Sequence, residues 1–354
     1  MTQSIGWPII LKKLLAKDDL TRQEAGWAMT EIMDGSSSEA EIGAFMMALR
    51  SKGETVEELS GLVDVMLKKS VLLETGADAL DIVGTGGDML GTVNISTMAS
   101  IVAAATGVGV MKHGSRSASG KTGSAEVLEV LGIRLDLSAE RVAQVFAEVG
   151  LTFFFAPVFH PAMRHVAPVR KALGVPTTFN FLGPLANPAQ PIATSLGVAD
   201  RKIAPLMAAE LAARGRNALV FRGSDGLDEL TTTGNSEIWL VQGGVVTEYH
   251  LNPSDFGLEK VDISDLLGGD ARHNAEIARS LFVEPANSKN KPVREVVALN
   301  AAGGLVAYEL SKKKIETQQQ LNDEFARQLV KVFDALDSGA AAEKLSAWMS
   351  ATQG

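Results

Sequence analysis

DIVGTGGDMLGTVNISTMASIVAAATGVGVMKHGSRSASGKTGSAEVLEVL, residues 81–131, reads as two consecutive units of strand, glycine-rich loop and helix. Residues 80–83 run into Gly84-Thr85-Gly86-Gly87-Asp88, and residues 108–111 run into a second loop spanning 112–123. Helices are expected to begin near Ser96-Thr97 and near Ser124. Backbone N–H groups and the positive ends of two helix dipoles would then point into one region. Glycine lets an anion approach the backbone, and Lys112, Arg116 and Lys121 add positive charge around the second loop. The pattern predicts a ligand with two phosphate groups. Ordinary turns also use Gly, Ser and Asn, but two such loops in tandem, each leading from an apolar strand to a helix, favour anion binding.

Two familiar phosphate motifs fail on this stretch by a countable margin. The dinucleotide fingerprint G-x-G-x-x-G, started at Gly84, requires glycine where Met89 stands. The P-loop requires four residues between its first glycine and G-K-[ST], whereas five, Ser115 to Ser119, separate Gly114 from Gly120-Lys121-Thr122.

A chain of 354 residues suits two domains better than one. Its longest mostly apolar window, 98–111, is too short for a membrane span and is broken by Gly and Thr. No secretory signal is read at the N-terminus, where the lysines follow rather than precede the apolar run 7–11, so a cytoplasmic location is expected. Zero cysteines exclude disulfides, thiolate metal sites and a cysteine nucleophile. A net charge of −9 works against nucleic-acid binding, which needs a basic face; a local basic loop suits a small polyanion.

Upstream, residues 1 to about 70 read as a helical module. The capping pattern S/T-x-x-E recurs at Thr21–Glu24, Ser38–Glu41 and Thr55–Glu58, with Gly35 and Gly53 as helix stops. Ile42, Phe45, Met46 and Leu49 have helical spacing, and Phe45, Met46 and Met47 are expected in the core. Downstream, a helix is expected over 138–149 and a buried strand over 151–155; Pro157 and Pro161 then turn the chain into a helix carrying Arg164, His165 and Arg170. His160 and His165 are one residue off the i, i+4 spacing of a helical metal pair, which argues against zinc. Segment 179–188, FNFLGPLANP, is either a rigid pocket wall or a linker between lobes. Strands at 193–198 and 218–222 flank a helix at 203–214, a hairpin turns at Gly243-Gly244, and 292–310 and 321–349 are helices covering the sheet. Asp228 and Glu229 follow the end of the strand at 218–222, where they are either solvated loop acids or oxygen donors for Mg²⁺ on a phosphate.

The segments DIVGTGGD, VNIST, KHGSRSASGKTGSA, FHPAMRHVAPVR, FNFLGPLANP and DGLDEL together cover nearly the whole chain in order and spacing. On them the sequence resembles the anthranilate phosphoribosyltransferases of tryptophan biosynthesis. The resemblance implies an α/β fold of the nucleoside phosphorylase/phosphoribosyltransferase type. A small all-helical domain over 1–72, joined by helices within 158–190, would accompany a larger α/β domain over 73–354 with a central, mainly parallel sheet flanked by helices. It further implies a homodimer, an active site between the two domains, and transfer of phosphoribosyl from 5-phosphoribosyl diphosphate (PRPP) to anthranilate, with two Mg²⁺ ions accompanying PRPP.

Carried over by the resemblance, the PRPP contacts are Gly84, Gly87, Asp88, Thr92, Asn94, Ile95, Ser96 and Thr97 around the first loop. Around the second they are Lys112, His113, Gly114, Ser115, Arg116, Ser117, Ala118, Ser119, Gly120 and Ser124. The metal ligands are Ser96, Asp228 and Glu229, and the anthranilate-facing residues are Gly84, His113, Ser115, His160, Arg170, Gly183 and Pro184. Ser115 stands where the family motif K-H-G-N-R has asparagine. No single catalytic residue is assigned, because an aromatic amine is neutral at pH 7 and needs positioning more than a strong base. A pyrimidine nucleoside phosphorylase has a similar architecture and a K-H-x-G-R-like loop, against which the D-G-L-D-E segment argues. A non-catalytic nucleic-acid-binding relative is disfavoured by the acidic charge and the Asp228-Glu229 pair.

Overall fold

The computed structural model of the protein describes residues 5–73, 77–117 and 122–354. The chain forms two compact units, Met1–Leu73 with Ala156–Gln190, and Glu74–Phe155 with Pro191–Gly354.

The first unit is helical. Helices α1 (Trp7–Leu15), α2 (Arg22–Met33), α3 (Glu39–Lys52) and α4 (Val56–Lys68) open the chain. All three S/T-x-x-E motifs are capping boxes, at Thr21, Ser38 and Thr55. In each, a hydroxyl and a glutamate satisfy backbone N–H groups that the helix leaves unpaired; a cap of this kind contributes about 1 kcal/mol. Ile42, Phe45, Met46 and Leu49 are buried, and Trp7 meets Phe45 edge-on with ring centroids 5.7 Å apart. Met47 departs from expectation. At 39% exposure it lies outside the core, because the 100° step of α3 carries it off the stripe that residues 42, 45, 46 and 49 define.

The second stretch of this unit holds α8 (Ala156–Phe159), a 3-10 turn Pro161–His165, α9 (Ala167–Leu173) and two further 3-10 turns, Thr178–Asn180 and Gly183–Leu185. The single helix expected after Pro161 is therefore two elements. Pro168 has no N–H to donate and sits in the first turn of α9, where none is needed, so it restarts the helix. Segment 179–188 belongs to this unit, and its Phe179, Phe181, Leu182, Leu185, Ala186 and Asn187 are buried.

The second unit is built on one seven-stranded sheet in the order β3-β2-β1-β4-β5-β6-β7. It begins with β1 (Leu80–Gly84), α5 (Ile95–Ala105), β2 (Val110–Gly114), α6 (Ser124–Leu131), α7 (Ala139–Val149) and β3 (Leu151–Phe155). After the helical insertion come β4 (Ala193–Gly197), α10 (Ala204–Ala213), β5 (Asn217–Gly223), β6 (Ser236–Gln242) and β7 (Val245–Leu251). Strands β3, β2, β1, β4 and β5 are parallel, and β6 and β7 are antiparallel. The turn from β6 to β7 is the expected Gly243-Gly244 pair, both at positive φ (59° and 77°), as a tight right-twisted hairpin requires. Helices α11 (Ala271–Val283), α12 (Lys291–Glu309), α13 (Gln318–Asp337) and α14 (Ala340–Gln353) complete the unit, with α12 packed on β1, β4, β5 and α5.

Strand order fixes where a ligand belongs. From β1 the chain moves outward to β2 and β3, then returns to place β4 on the other side of β1. The order reverses between β1 and β4, and open α/β sheets bind ligands outside the carboxyl ends of the strands at such a reversal.

Candidate active site

Strands β1 and β4 both end in glycine, Gly84 opposite Gly197 in register. A Cβ at Gly84 would lie 2.2 Å from Asp228 Oδ2, and one at Gly197 1.7 Å from the Asp228 carbonyl oxygen. Two bare strand ends thus let the chain after β5 lie directly across the switch point, bringing Asp228 and Glu229 with it. Sequence reading misses Gly197; its signal is that ATSLG ends as DIVG does.

The acid pair is buried rather than solvated, with each residue 9% exposed. Asp228 Oδ2 accepts a hydrogen bond from Gly86 N at 2.7 Å, and Glu229 Oε1 accepts one from Ser96 N at 3.1 Å in the first turn of α5. Behind them, Leu230 N donates to Asn300 Oδ1 (2.9 Å) and Asn300 Nδ2 to Leu230 O (2.7 Å), so an asparagine inside α12 fixes the backbone that follows. Asp225 accepts from the hydroxyls of Thr231 and Thr233, each at 2.6 Å. Sequence reading also misses Asn300 and Asp225; a lone polar residue in the apolar run VVALNAAGG is the signal for the former.

Lys112 lies within β2, because that strand extends to Gly114, beyond the expected end at 111. It is 1% exposed instead of standing in the second loop, and its Nζ donates to Ile82 O at 2.6 Å and to Ser96 Oγ at 3.3 Å. Burial pushes its pKa down, opposed by Asp81, Glu229 and Asp228. Burial, then the neighbouring Asp88, pushes Asp228 up to about 7; burial and Asp228 raise Glu229, against the pull of Lys112. Asp88 is raised by burial and by Asp225. Among the described residues neither Asp228 nor Glu229 forms an ion pair within 4 Å. Carboxylates buried beside one another with no paired cation fit the oxygen-donor chemistry of Mg²⁺. Among the described residues no three His, Cys, Asp or Glu side chains could hold a metal by themselves. Any ion here would therefore draw further oxygens from Ser96 and from its ligand.

The first loop carries Gly86 and Gly87 at φ 66° and 85°, then Asp88, whose Oδ1 accepts from Leu90 N at 3.2 Å. Met89 adopts φ 60°, the left-handed conformation a glycine would favour, and is 73% exposed. Thr92 bridges to Leu267, and α5 starts at Ile95, with Ile95 and Thr97 buried. Asn94, its N-cap, donates to Thr122 O at 3.3 Å, which brings the start of α5 against the approach to α6. The two helix starts converge as expected.

Within β2 His113 is buried, with its N–H donating to Asp81 Oδ1 at 3.1 Å, whereas Ser115 is exposed beyond Gly114. Arg116 is paired with Glu129 at 2.6 Å and set over the ring of Phe155, the last residue of β3. Ser117 N and Gly123 N donate to the Glu126 carboxylate at 3.3 and 3.1 Å, so a side-chain anion occupies the entrance to α6 ahead of Ser124. Ala118, Ser119, Gly120 and Lys121 lie outside the described residues.

The remaining predicted residues belong to the helical unit. His160 is 3% exposed, and burial lowers its pKa to about 4 despite a hydrogen bond with the backbone of Ala186. Arg170, half-buried in α9, has its pKa lowered by burial and no carboxylate partner within 4 Å among the described residues. Gly183 and Pro184 open the last 3-10 turn of the unit.

A helical bundle and an α/β domain in one chain have counterparts in one known family. Residues 8–70 match the helical bundle domain of the glycosyl transferase family, and residues 76–342 match that family's a/b domain. Among relatives, the anthranilate phosphoribosyltransferase of Leifsonia xyli subsp. xyli (strain CTCB07) is 50% identical over 353 residues, 100% of each chain. The crystal structure of anthranilate phosphoribosyltransferase from Thermus thermophilus matches with a TM-score of 0.87 at 37% identity, covering 98% of this chain and 99% of that one. The enzyme from Saccharomyces cerevisiae, in complex with PRPP and Mg, matches with a TM-score of 0.86 at 27% identity over 98% of both chains. The chain belongs to the anthranilate phosphoribosyltransferase family.

Proposed function

We propose that the protein transfers the 5-phosphoribosyl group of PRPP to the amine of anthranilate and releases pyrophosphate, the second step from chorismate towards tryptophan. The observation that carries this is the buried pair Asp228 and Glu229, in no ion pair within 4 Å among the described residues, laid over Gly84 and Gly197 at the switch point, in a chain 50% identical along its whole length to a relative of that name.

In the reaction the bond from ribose C1 to the pyrophosphate oxygen breaks, its electrons leaving with pyrophosphate. The amine lone pair forms the new C1–N bond, and the nitrogen then sheds a proton. Charge develops on the leaving group, so preorganised positive groups there dominate catalysis. Two bound Mg²⁺ ions would supply part of that charge, held by Ser96, Asp228 and Glu229. Lys112, buried beside Ser96, adds a fixed cation from within the sheet. Gly84, Gly87, Asp88, Thr92, residues 94–97 and 112–120, and Ser124 are assigned to PRPP. Glu126 must release the amides of Ser117 and Gly123 if these are to bind phosphate. Arg170, a half-buried guanidinium, suits the anthranilate carboxylate through paired hydrogen bonds. His113, Ser115, His160, Gly183, Pro184 and Gly84 are assigned to the rest of the acceptor, with His160 neutral at pH 7. The proposal includes a homodimer in the cytoplasm; among the described residues no helix is long and apolar enough to cross a membrane.

The test mixes protein, PRPP, Mg²⁺ and anthranilate and follows loss of anthranilate fluorescence. Thymidine with phosphate, and labelled DNA, serve as parallel arms. Loss that requires all three components is expected. Phosphorolysis of thymidine, or DNA binding, without any use of anthranilate would overturn the proposal.

A further inference from the structure

A third segment, absent from the sequence-derived site, holds the two anion loops together. Residues 266–274, LLGGDARHN, run against the first loop, where Val93 N donates to Leu266 O at 2.9 Å and Gly268 N to Gly91 O at 2.9 Å. At its end stands Asn274, in the first turn of α11 and 2% exposed. Its Nδ2 donates to Asn94 Oδ1 at 2.8 Å, and its Oδ1 accepts from Gly269 N at 2.7 Å. Asn94 in turn donates from Nδ2 to Thr122 O at 3.3 Å, and Thr122 Oγ1 donates to Gly269 O at 2.9 Å. The four residues close a ring of side-chain and backbone hydrogen bonds that joins the end of the first loop, the end of the second loop and the start of α11. Gly268 makes room for it, since a Cβ there would lie 2.6 Å from Asn274 Oδ1 and 2.9 Å from Thr92 O.

We propose that Asn274 is a positioning residue for the phosphoribosyl diphosphate site: it fixes the Asn94 amide and so holds the N-termini of α5 and α6 in the spacing that the diphosphate and the 5-phosphate require. The proposal rests on the reading above that these loops bind PRPP. Both ends of the Asn94 amide are engaged in the ring, with Oδ1 taken by Asn274 and Nδ2 by Thr122. Asn94 acts by joining the loops, and Asn274 sets which way round its amide sits. A buried amide pair of this kind has one satisfied arrangement. If residue 274 can only accept, either orientation of Asn94 leaves one oxygen facing another.

Asn274→Asp separates this role from a general structural one, because aspartate still accepts from Gly269 N but cannot donate to Asn94. Asn274→Ala removes both bonds. In both variants the KM for PRPP is expected to rise about tenfold, from loss of the Asn274–Asn94 hydrogen bond that both lack, with the anthranilate KM within about twofold of wild type. Asn274→Asp buries an unpaired carboxylate, so its melting temperature should fall as well, and the KM split and the exchange pattern carry the distinction. Amide hydrogen exchange in the substrate-free protein should accelerate at 94–97 and 122–125 in both variants. If both KM values rise together, or if Asn274→Asp keeps wild-type PRPP use and wild-type exchange, Asn274 does not position the loops. A wild-type protein inactive on PRPP and anthranilate would sink the functional reading alone, and the exchange measurement would still decide whether Asn274 clasps the two loops.

Discussion

Replacing Gly197 by alanine tests whether the strand ends position the acid pair. The added Cβ would stand 1.7 Å from the carbonyl oxygen of Asp228 and 2.4 Å from its carbonyl carbon, where ordinary contact begins at 3.4 Å. The carbonyl must therefore retreat by roughly the shortfall, about 1.7 Å. Gly197 is outside the left-handed region, so the cost is space alone. Little can give way, because Gly86 N holds the Asp228 carboxylate on one side and Asn300 holds Leu230 on the other. Overpacking of this kind costs about 1 to 3 kcal/mol of stability. Its kinetic effect is larger, since misplacing catalytic groups by an ångström lowers the rate about a hundredfold. The assay is anthranilate fluorescence across a Mg²⁺ titration, paired with a thermal melt. A folded variant with about one-hundredth of wild-type kcat/KM and a higher Mg²⁺ requirement is expected. A variant that melts earlier yet keeps wild-type kinetics and Mg²⁺ dependence at low temperature would refute the link between strand ends and metal ligands.

Asp228→Asn should lower activity at limiting Mg²⁺ by at least about a hundredfold. The ligand-free protein should melt at the same temperature or higher, because the change removes a buried charge set against Asp88; a lower melting temperature would show that the charge is compensated. His160 has a folded pKa of about 4 against an ordinary 6.5, so the unfolded chain binds the extra proton between those values. Stability from this group is intact above pH 6.5 and is lost as pH falls towards 4, by up to about 3 kcal/mol. Denaturation midpoints measured from pH 7 to 4 should fall less in His160→Gln; parallel curves would exclude the histidine as the cause. Ser115→Asn adds reach and donors at an exposed position beyond β2. It should lower the anthranilate KM by about two- to tenfold with PRPP use unchanged, and an unchanged anthranilate KM would remove residue 115 from the acceptor site.

The elements legible in the sequence are those whose cause is local. Three capping boxes, the glycine pair between β6 and β7, and the strand-loop-helix rhythm of 81–131 each depend on residues within a few positions of one another. Contacts across the fold are not legible in that way. Strand periodicity fades at Met111, which puts Lys112 in a loop on sequence grounds, yet β2 pairs with β3 through Gly114, and that pairing buries the lysine. Composition favours Met47 for the core, where the helical angle excludes it. Charge counts Arg116 with the anion site, and its pairing with Glu129, thirteen residues on, is not legible from the loop itself.

The acid pair shows most clearly why position in the fold outranks residue type. Two adjacent carboxylates after a strand are ordinarily solvated, and apart from the family resemblance of DGLDEL no local pattern around Asp228 shows that these are buried. Their burial follows from chain topology: β1 and β4 become neighbours at the strand-order reversal, both end in glycine, and the segment after β5 settles into the space those glycines leave. Once there, the carboxylates cap Gly86 N and the start of α5, two donors that would otherwise face a ligand. Burial also raises their proton affinity, so the free site is electrostatically unfavourable until positive charge arrives. A phosphate ligand alone would worsen that repulsion, and a cation alone would find too few donors among the described residues. The arrangement therefore favours the two arriving together, which predicts that PRPP binds weakly without Mg²⁺ and that Mg²⁺ binds weakly without PRPP. Calorimetry with each component alone and then with both checks this, and tight binding of either by itself would contradict it.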